Sequence, residues 1–417
     1  MVLAAFVLTL AVGLCLYTYL GYPAILKLLS LSLRKRVASH RGAASQLPRI
    51  SIVLPVYNEA AVIAETLERI LAIDYPADRR QILVVSDASN DGTDAIVGEF
   101  ANRGIALLRL PQRQGKTAAE NAARRLLTGE IIVNTDASVR VDAGAIRALV
   151  AAFADDSVGV ASARDVSVTN VAAHANGGEG AYVGYEMWTR DLETAVDGIV
   201  GASGCLYAIR AAVHMLPVRE DLSRDFAAAL TAREQGFRAV SVPEAICYVP
   251  RGRSLHQEYR RKVRTITRGL ATLAERRALL NPMRYGAFSW MLFSHKVCRW
   301  LVPWALVVGL VAVGQLSLTF AWARALLAAA GAGSALAGIG WLRSERTSLP
   351  RVLALPAYVV AGNVAVLHAW LRLVTGRAAP VWEPTRRDTV SPAPIRSSAI
   401  PVAPMGRNIA RDIGQRP

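Results

Sequence analysis

The stretch ISIVLPVYNE at residues 50–59, with QILVVSDAS at 81–89 and EIIVNTDAS at 130–138, decides the fold. Each is a short run of branched apolar residues that closes on polar ones, as a strand buried on both faces does. Between and after them, residues 59–72, 91–103, 115–128 and 141–154 read as helices, and IALLRL (105–110) and VGVASA (158–163) as two further strands. Strand–helix alternation of this kind implies an α/β fold with a mainly parallel sheet and right-handed crossovers. In such sheets ligands bind at the carboxyl ends of the strands.

The residues at those ends therefore matter. Asn58 and Glu59 close the first strand, Asp87 the second and Asp136 the fourth. A single Asp after a strand is often a turn residue or a helix N-cap. Several on one sheet edge line a pocket, and they repel unless a cation or hydrogen-bond donors compensate. Gly115-Lys116-Thr117 invites a phosphate-loop reading, but position 110 is Leu110 where that motif needs Gly, and no GxGxxG follows the first strand. Lys116 at a helix start can meet a phosphate or stand as a solvated lysine.

Outside this region the chain is different. Of 417 residues 53% are hydrophobic and 19% charged, with a formal charge of +16. Disorder is excluded for most of the chain. Four scattered cysteines (15, 205, 247, 298) make neither a disulfide scaffold nor a zinc site. Residues 1–36 carry +4, 299–375 carry +5 and 376–417 carry +4, which leaves +3 for the long middle. A nucleic-acid binder would concentrate charge on its folded domain. Here the excess flanks apolar runs, which points to a membrane and to no nucleic acid.

Residues 2–26 carry no charge and are long enough to span a hydrocarbon core of about 30 Å. Arg34-Lys35-Arg36 follows, which places that end in the cytoplasm. Apolar runs recur at 301–320, 322–342 and 352–374, behind an aromatic segment at 283–300 that fits an interfacial helix. Strict alternation sends the tail outside, whereas Arg377, Arg386 and Arg387 argue for inside. The expected organisation is an anchor over 1–36, a cytoplasmic domain over 37–282, an interfacial helix and about three spans over 283–375, and a disordered Pro/Arg-rich tail over 376–417.

The motifs in order resemble family 2 glycosyltransferases, the group that includes cellulose, chitin, hyaluronan and poly-N-acetylglucosamine synthases. Tyr19-Leu20-Gly21-Tyr22-Pro23 lies in the first membrane segment of that likeness and Trp382-Glu383-Pro384-Thr385 beyond the last. Pro55-Val56-Tyr57-Asn58-Glu59 resembles P-x-x-N-E, Ser86 through Thr93 resembles D-x-S-x-D-G-T, and Gly115 through Asn121 resembles G-K-x-x-A-x-N. The resemblance implies a GT-A-type fold with membrane helices at both ends. It also implies an inverting transfer from a nucleotide-sugar, UDP-linked, to a carbohydrate acceptor in exopolysaccharide or envelope glycan synthesis. A non-processive transferase using a lipid-linked acceptor, and a non-catalytic nucleotide-binding membrane scaffold, are the alternatives.

By that resemblance Tyr57, Glu59, Asp87, Lys116, Asp136, Gly204 and Arg261 hold the donor. Asp136 matches the first Asp of D-x-D, which binds the diphosphate with Mg²⁺ or Mn²⁺. The second position is Ser138, a weaker ligand for a hard cation. Glu179 and Glu186 fall on the acceptor side. Asp225, in Ser223-Arg224-Asp225, matches the general base, and Arg264 the Arg of Q-x-x-R-W that neutralises the leaving diphosphate. Arg261 and Thr265 replace the Gln and Trp of that motif, which puts processive polymerisation in doubt. The implied partners are donor, glycan or lipid-linked acceptor, membrane lipids and a second subunit, with the protein multi-pass in the inner membrane.

Overall fold

The computed structural model describes residues 1–33, 47–168, 177–250, 254–344 and 350–376, apart from the side chains of 177–181 and 351. The basic residues at 34–36, the side chain of Glu179 and the whole 377–417 tail lie outside the described residues.

Two apolar helices open the chain, α1 (Val2–Leu16) and α2 (Tyr22–Leu33), joined by a π-helical turn so that they run on as one. The α/β part then alternates as its periodicity dictates. Strand β1 (Ile50–Val56) is buried at all its positions. Helix α3 (Ile63–Leu71) buries Ile63, Leu67 and Ile70 on one stripe and turns Glu65 and Glu68 outward. There follow β2 (Arg80–Ser86), α4 (Thr93–Glu99), β3 (Ile105–Arg109), α5 (Lys116–Ala123), β4 (Ile131–Thr135), β5 (Arg140–Val141), α6 (Ala145–Ala151) and β6 (Val158–Val168). The second half holds α7 (Gly177–Val196), β7 (Leu206–Arg210), α8 (Ala211–His214), α9 (Arg224–Glu234), β8 (Arg238–Pro250) and α10 (Leu255–Glu275).

All eight strands join one sheet in the order β3-β2-β1-β4-β7-β6-β8-β5. The β3–β2–β1–β4 block is parallel, β7 runs against both β4 and β6, β6 and β8 pair parallel, and β5 closes the edge against β8. The sheet is thus mixed, GT-A-like, with the parallel pairs of the sequence reading making up its first half. One face packs Ile52, Leu54, Ile82 and Val133 against Leu67, Ile146 and Leu149. The other packs Val53, Val85 and Ile132 against Ala119, Ala123 and Ala229. The ends of β1, β2 and β4 open toward the same edge.

After the short α11 (Pro282–Tyr285) come α12 (Ala287–Leu292) and α13 (Arg299–Ser317), which a π-helical turn joins into one apolar helix of 31 residues, Ala287–Ser317. Helices α14 (Ala321–Arg343) and α15 (Arg351–Val374) complete the described chain. Four segments among the described residues are long and apolar enough to cross a membrane: Val2–Ser32, Ala287–Ser317, Ala321–Arg343 and Val352–Val374. Their outward residues include Val2, Leu3, Val311, Leu342 and Val352, each more than 60% exposed, an apolar surface that only lipid or another protein covers.

Candidate active site

Two loops at the ends of β1 and β2 are stapled to each other. Asn58 and Ala88 both take positive φ, 53° and 58°, which non-glycine residues adopt only under constraint. The constraint is a hydrogen-bond set. The Asn58 N–H donates to Ser89 Oγ (3.1 Å), the Asn90 N–H to Asn58 Oδ1 (2.9 Å), the Glu59 N–H to Thr93 Oγ1 (2.9 Å) and the Ala60 N–H to Asp91 Oδ2 (3.0 Å). Burial of Asp91 works against its charge, but donation from Thr93 and Ala60 outweighs it and lowers its pKa. Asp87, fully buried, accepts the backbone N–H groups of Gln114 (2.7 Å) and Gly115 (2.8 Å) and so fixes the entry to α5. Tyr57 faces the Arg113 guanidinium, 3.9 Å from the ring centroid.

Lys116 is the hub on the next side. Its Nζ donates to Asp136 Oδ1 (2.6 Å) and to the Gly204 carbonyl (3.0 Å), with Glu120 Oε1 at 3.9 Å. Burial disfavours the ammonium, but Asp136, Glu120 and Asp225 together overcome that and raise its pKa. Glu120 is wholly buried, and burial is the main reason its own pKa rises, against the lowering pull of Lys116 and Arg224. Arg224 Nε lies 2.9 Å from Glu120 Oε2, and its guanidinium also reaches Asn121 Oδ1 (2.6 Å). A buried chain of charges, Asp136–Lys116–Glu120–Arg224, thus runs behind the pocket. Its Glu120 carried a local signal, the i,i+4 spacing from Lys116; Arg224 did not.

Asp225 stands across from this chain in the first turn of α9. Ser223 Oγ donates to its Oδ1 (2.5 Å), and the Ser223 N–H is held by Thr272 Oγ1 of α10 (3.0 Å). Its Oδ2 points at Gly204: a Cβ there would lie 3.0 Å from that oxygen. A side chain at 204 would crowd this carboxylate, and the same Gly204 carbonyl receives Lys116. The loop is clamped next door, where Ser203 Oγ donates to Asp165 (2.7 Å) and the Ser203 N–H to Ser162 Oγ (2.8 Å).

The basic helix α10 divides its side chains. Arg261 forks onto Glu258 of its own helix (2.7 and 2.8 Å). Arg264 is half-buried. Arg268, one turn further, was not singled out from sequence. Burial lowers its pKa, and Asp221 and Asp225 act in the opposite direction, so its guanidinium lies in the field of Asp225.

Residues 51–187 match the family model for glycosyl transferase family 2. They are a glycosyl transferase family 2 domain. The chain is 29% identical over 147 residues to the probable glycosyltransferase YdaM of Bacillus subtilis, covering 34% of this chain and 35% of that one. It is 29% identical over 157 residues to the beta-monoglucosyldiacylglycerol synthase of Trichormus variabilis (37% and 34%). It is 31% identical over 98 residues to the poly-beta-1,6-N-acetyl-D-glucosamine synthase of Staphylococcus epidermidis (23% of each). The match thus spans about a third or less of the length of these curated relatives. Among solved structures, the mannosyltransferase PcManGT of Pyrobaculum calidifontis, in complex with GDP-Man and Mn²⁺, superposes with a TM-score of 0.67. Its identity is 23%, over 89% of this chain and 99% of that one, so the likeness is one of fold.

Asp87, Lys116 and Asp136 of the matched region meet Gly204 and Asp225, which lie beyond it in sequence, at one sheet edge. Ser138 follows Asp136 in the turn after β4. Among the described residues no three His, Cys, Asp or Glu side chains converge to hold a metal ion. One carboxylate, Asp136, already paired on one oxygen with Lys116, fits the sparse mode of Mg²⁺ or Mn²⁺ binding in which substrate phosphates and water supply most ligands.

Glu186 lies where α7 meets the apolar helix formed by α12 and α13. Its carboxylate meets Arg299 (2.6 Å), His295 (3.1 Å) and Arg190 (3.4 Å). Burial would raise its pKa, but His295 and Arg299 prevail and hold it well below the ordinary 4.5. Glu193, two turns further on the same face of α7, accepts from Tyr22 (2.5 Å) and pairs with His295 Nδ1 (2.5 Å). Lys296 of the same helix as His295 reaches the pocket wall, its Nζ 5.6 Å from the Phe226 ring centroid and 3.7 Å from where a Gly201 Cβ would sit. Nothing local in the sequence pairs residues so far apart along the chain.

Proposed function

We propose that the protein is a membrane-embedded inverting glycosyltransferase. It moves a sugar from a nucleotide-sugar, a UDP-sugar in the first instance, to a hydroxyl of a glycan or lipid acceptor in envelope or exopolysaccharide synthesis. The observation that carries the reading is the opposition of Asp225 to the Lys116–Asp136 pair across Gly204, at the edge of a sheet whose first part matches the family 2 model. Inversion is one in-line displacement. Asp225 takes the acceptor hydroxyl's proton, the acceptor oxygen forms a bond to the anomeric carbon, and the bond to the phosphate oxygen breaks with its electron pair leaving on the nucleoside diphosphate. Ser223 orients the base by its hydrogen bond to Oδ1. Lys116 and the helix start beneath it face the diphosphate. Arg264 on α10 compensates charge on the departing nucleotide.

A divalent ion held by Asp136 and the donor phosphates would neutralise the diphosphate when bound. Tyr57, Glu59 and the Asp87-anchored loop surround the nucleoside. The four apolar helices support a multi-pass inner-membrane protein with the domain on the cytoplasmic side. The test is a screen of UDP- and GDP-sugars for nucleotide release by the protein in membranes, repeated with Asp225→Asn. We expect the variant to lose transfer by at least ~10²-fold while binding the nucleotide unchanged. Retained transfer, or transfer lost together with nucleotide binding, would remove Asp225 from the role of base. Size analysis of labelled product then separates a polymer from a single addition.

A further inference from the structure

Composition makes α15 look like a fourth span; its contacts say otherwise. Met1 Sδ lies 3.9 Å from Thr319 Oγ1, so the start of α1 and the α13–α14 turn share one level, at the end away from the catalytic domain. Ala4 packs with Ala312, Val313, Leu316 and Ala323 there. From that turn, Gly340 is 19 residues along α14 and Trp300 is 17 residues back along α13. At about 1.5 Å per residue these lie about 28 and 25 Å below the turn, close to the full ~30 Å of a hydrocarbon core.

Both ends of α15 touch that lower level. Gly340 is so close to α15 that a Cβ on it would lie 2.7 Å from the Leu353 carbonyl. Near the other end, Trp370 Nε1 donates to the Trp300 carbonyl (3.0 Å). Leu353 and Trp370 are about 25 Å apart along their helix, yet their partners differ in depth by only about 3 Å.

Between its ends α15 stays with α10. Lys262 caps the Tyr358 ring at 3.7 Å, and Tyr259 Oη meets His368 Nδ1 at 3.0 Å. Trp300 in turn lies against Gly269 of α10. Helix α10 carries Arg260, Arg261, Lys262, Arg264 and Arg268, which cannot follow a partner into hydrocarbon without large cost. The faces of α15 agree: Ala357, Ala361, Ala365 and Ala369 are buried, and Val352, Leu355, Val359 and Leu371 are exposed on the other side.

We infer that α15 does not cross the membrane but lies in the plane of the leaflet on the catalytic side, its valine–leucine stripe on the acyl chains and its alanine face against α10. The chain then crosses three times, and Gly376 ends on the catalytic side, where the positive-inside rule also places the Arg377, Arg386 and Arg387 that follow in sequence. The consequence for the site is position. Thr272 of α10 holds Ser223 beside Asp225, so a single helix, α10, separates the base from a leaflet-bound helix.

This inference rests on the membrane reading above, and carbonate extraction separates the two: a chain released by carbonate overturns both, a retained chain leaves the placement to be decided as follows. The full chain with a C-terminal epitope is treated with protease in sealed inverted and right-side-out vesicles. We expect the epitope to be lost only in those vesicles in which the catalytic domain is also cut. Loss of the epitope where the catalytic domain is protected would overturn the placement. Independently, bimane attached at Val352→Cys, Val359→Cys or Leu371→Cys, with the four native cysteines replaced by Ser, is quenched by lipids brominated at shallow or deep acyl positions. In-plane placement predicts the same shallow depth at all three; a deep Val359 between shallow ends would refute it.

Discussion

Gly204→Ala is the sharpest probe of the site, because a single methyl group meets the base and little else. The added Cβ would lie 3.0 Å from Asp225 Oδ2 and 3.6 Å from its Cγ. The Gly204 backbone lies outside the left-handed region, so alanine adds no conformational strain there. A carbon–oxygen contact relaxes at roughly 3.3–3.5 Å, so the carboxylate must retreat by a few tenths of an ångström. Its other oxygen is tied to Ser223, so the retreat is a rotation away from a preferred geometry costing about 0.5–1.5 kcal/mol. A misplacement of 1 Å costs about 10²-fold in rate, which makes a few tenths worth about 5- to 10-fold, or about 1–1.4 kcal/mol in the barrier. The assay is nucleotide release at saturating donor and acceptor, with the dissociation constant of the nucleotide measured in parallel. kcat should fall by that factor and nucleotide affinity should hold. In an Asp225→Asn background the same alanine should have no further effect on the residual rate, since the group it displaces no longer acts. Full activity in Gly204→Ala, or equal and additive losses in both backgrounds, would refute the reasoning.

Other expectations follow from the same contacts. Glu186→Gln leaves Arg299, His295 and Arg190 without their buried carboxylate, and should cost about 3–5 kcal/mol at pH 7. Because the folded-state pKa of Glu186 is depressed, its contribution is present above the ordinary 4.5 and is lost as pH falls through the lower folded value. Melting curves of wild type and variant should therefore converge on acidification below pH 4.5, and a gap that stays constant to pH 3 would speak against the linkage. Lys116→Met strands Asp136 and Glu120, and should weaken nucleotide binding and lower stability together, by about 3 kcal/mol; calorimetry showing intact affinity would remove Lys116 from the donor site. Arg264→Ala should lower kcat more than it weakens nucleotide binding, as expected of a group that meets charge developing on the leaving diphosphate, and equal losses in both would remove Arg264 from that role.

Much of the site was legible because its residues sit where local periodicity ends. Asp87 and Asp136 follow apolar strands, and a parallel sheet brings such ends to one edge whatever the remaining details. Asp225 and Lys116 came from motif spacing in the same way. Arg268 was not singled out because RRKVRTITR spreads five basic residues over more than half of a helix circumference, and only packing brings one of them into the field of Asp225. The ion pairs of Glu186 with Arg299 and His295 were hidden as well, since the partners lie more than a hundred residues away along the chain. The antiparallel insertion of β7 between β4 and β6 was equally hidden, since Leu206–Arg210 has no local feature that names its neighbours.

What the sequence determined by itself was the menu of elements and their chemistry: alternating strands and helices, polar strand ends, four long apolar helices and a near-neutral middle. These are set within windows of about ten residues, where backbone hydrogen bonding and side-chain period act. The tertiary structure decided which charges meet. It set Gly204 between Asp225 and Lys116, joined Glu120 to Arg224, and laid both ends of α15 at one level. Those outcomes depend on sheet order and helix crossing, which arise from burying apolar faces residues apart by a hundred or more, and no window of sequence carries them.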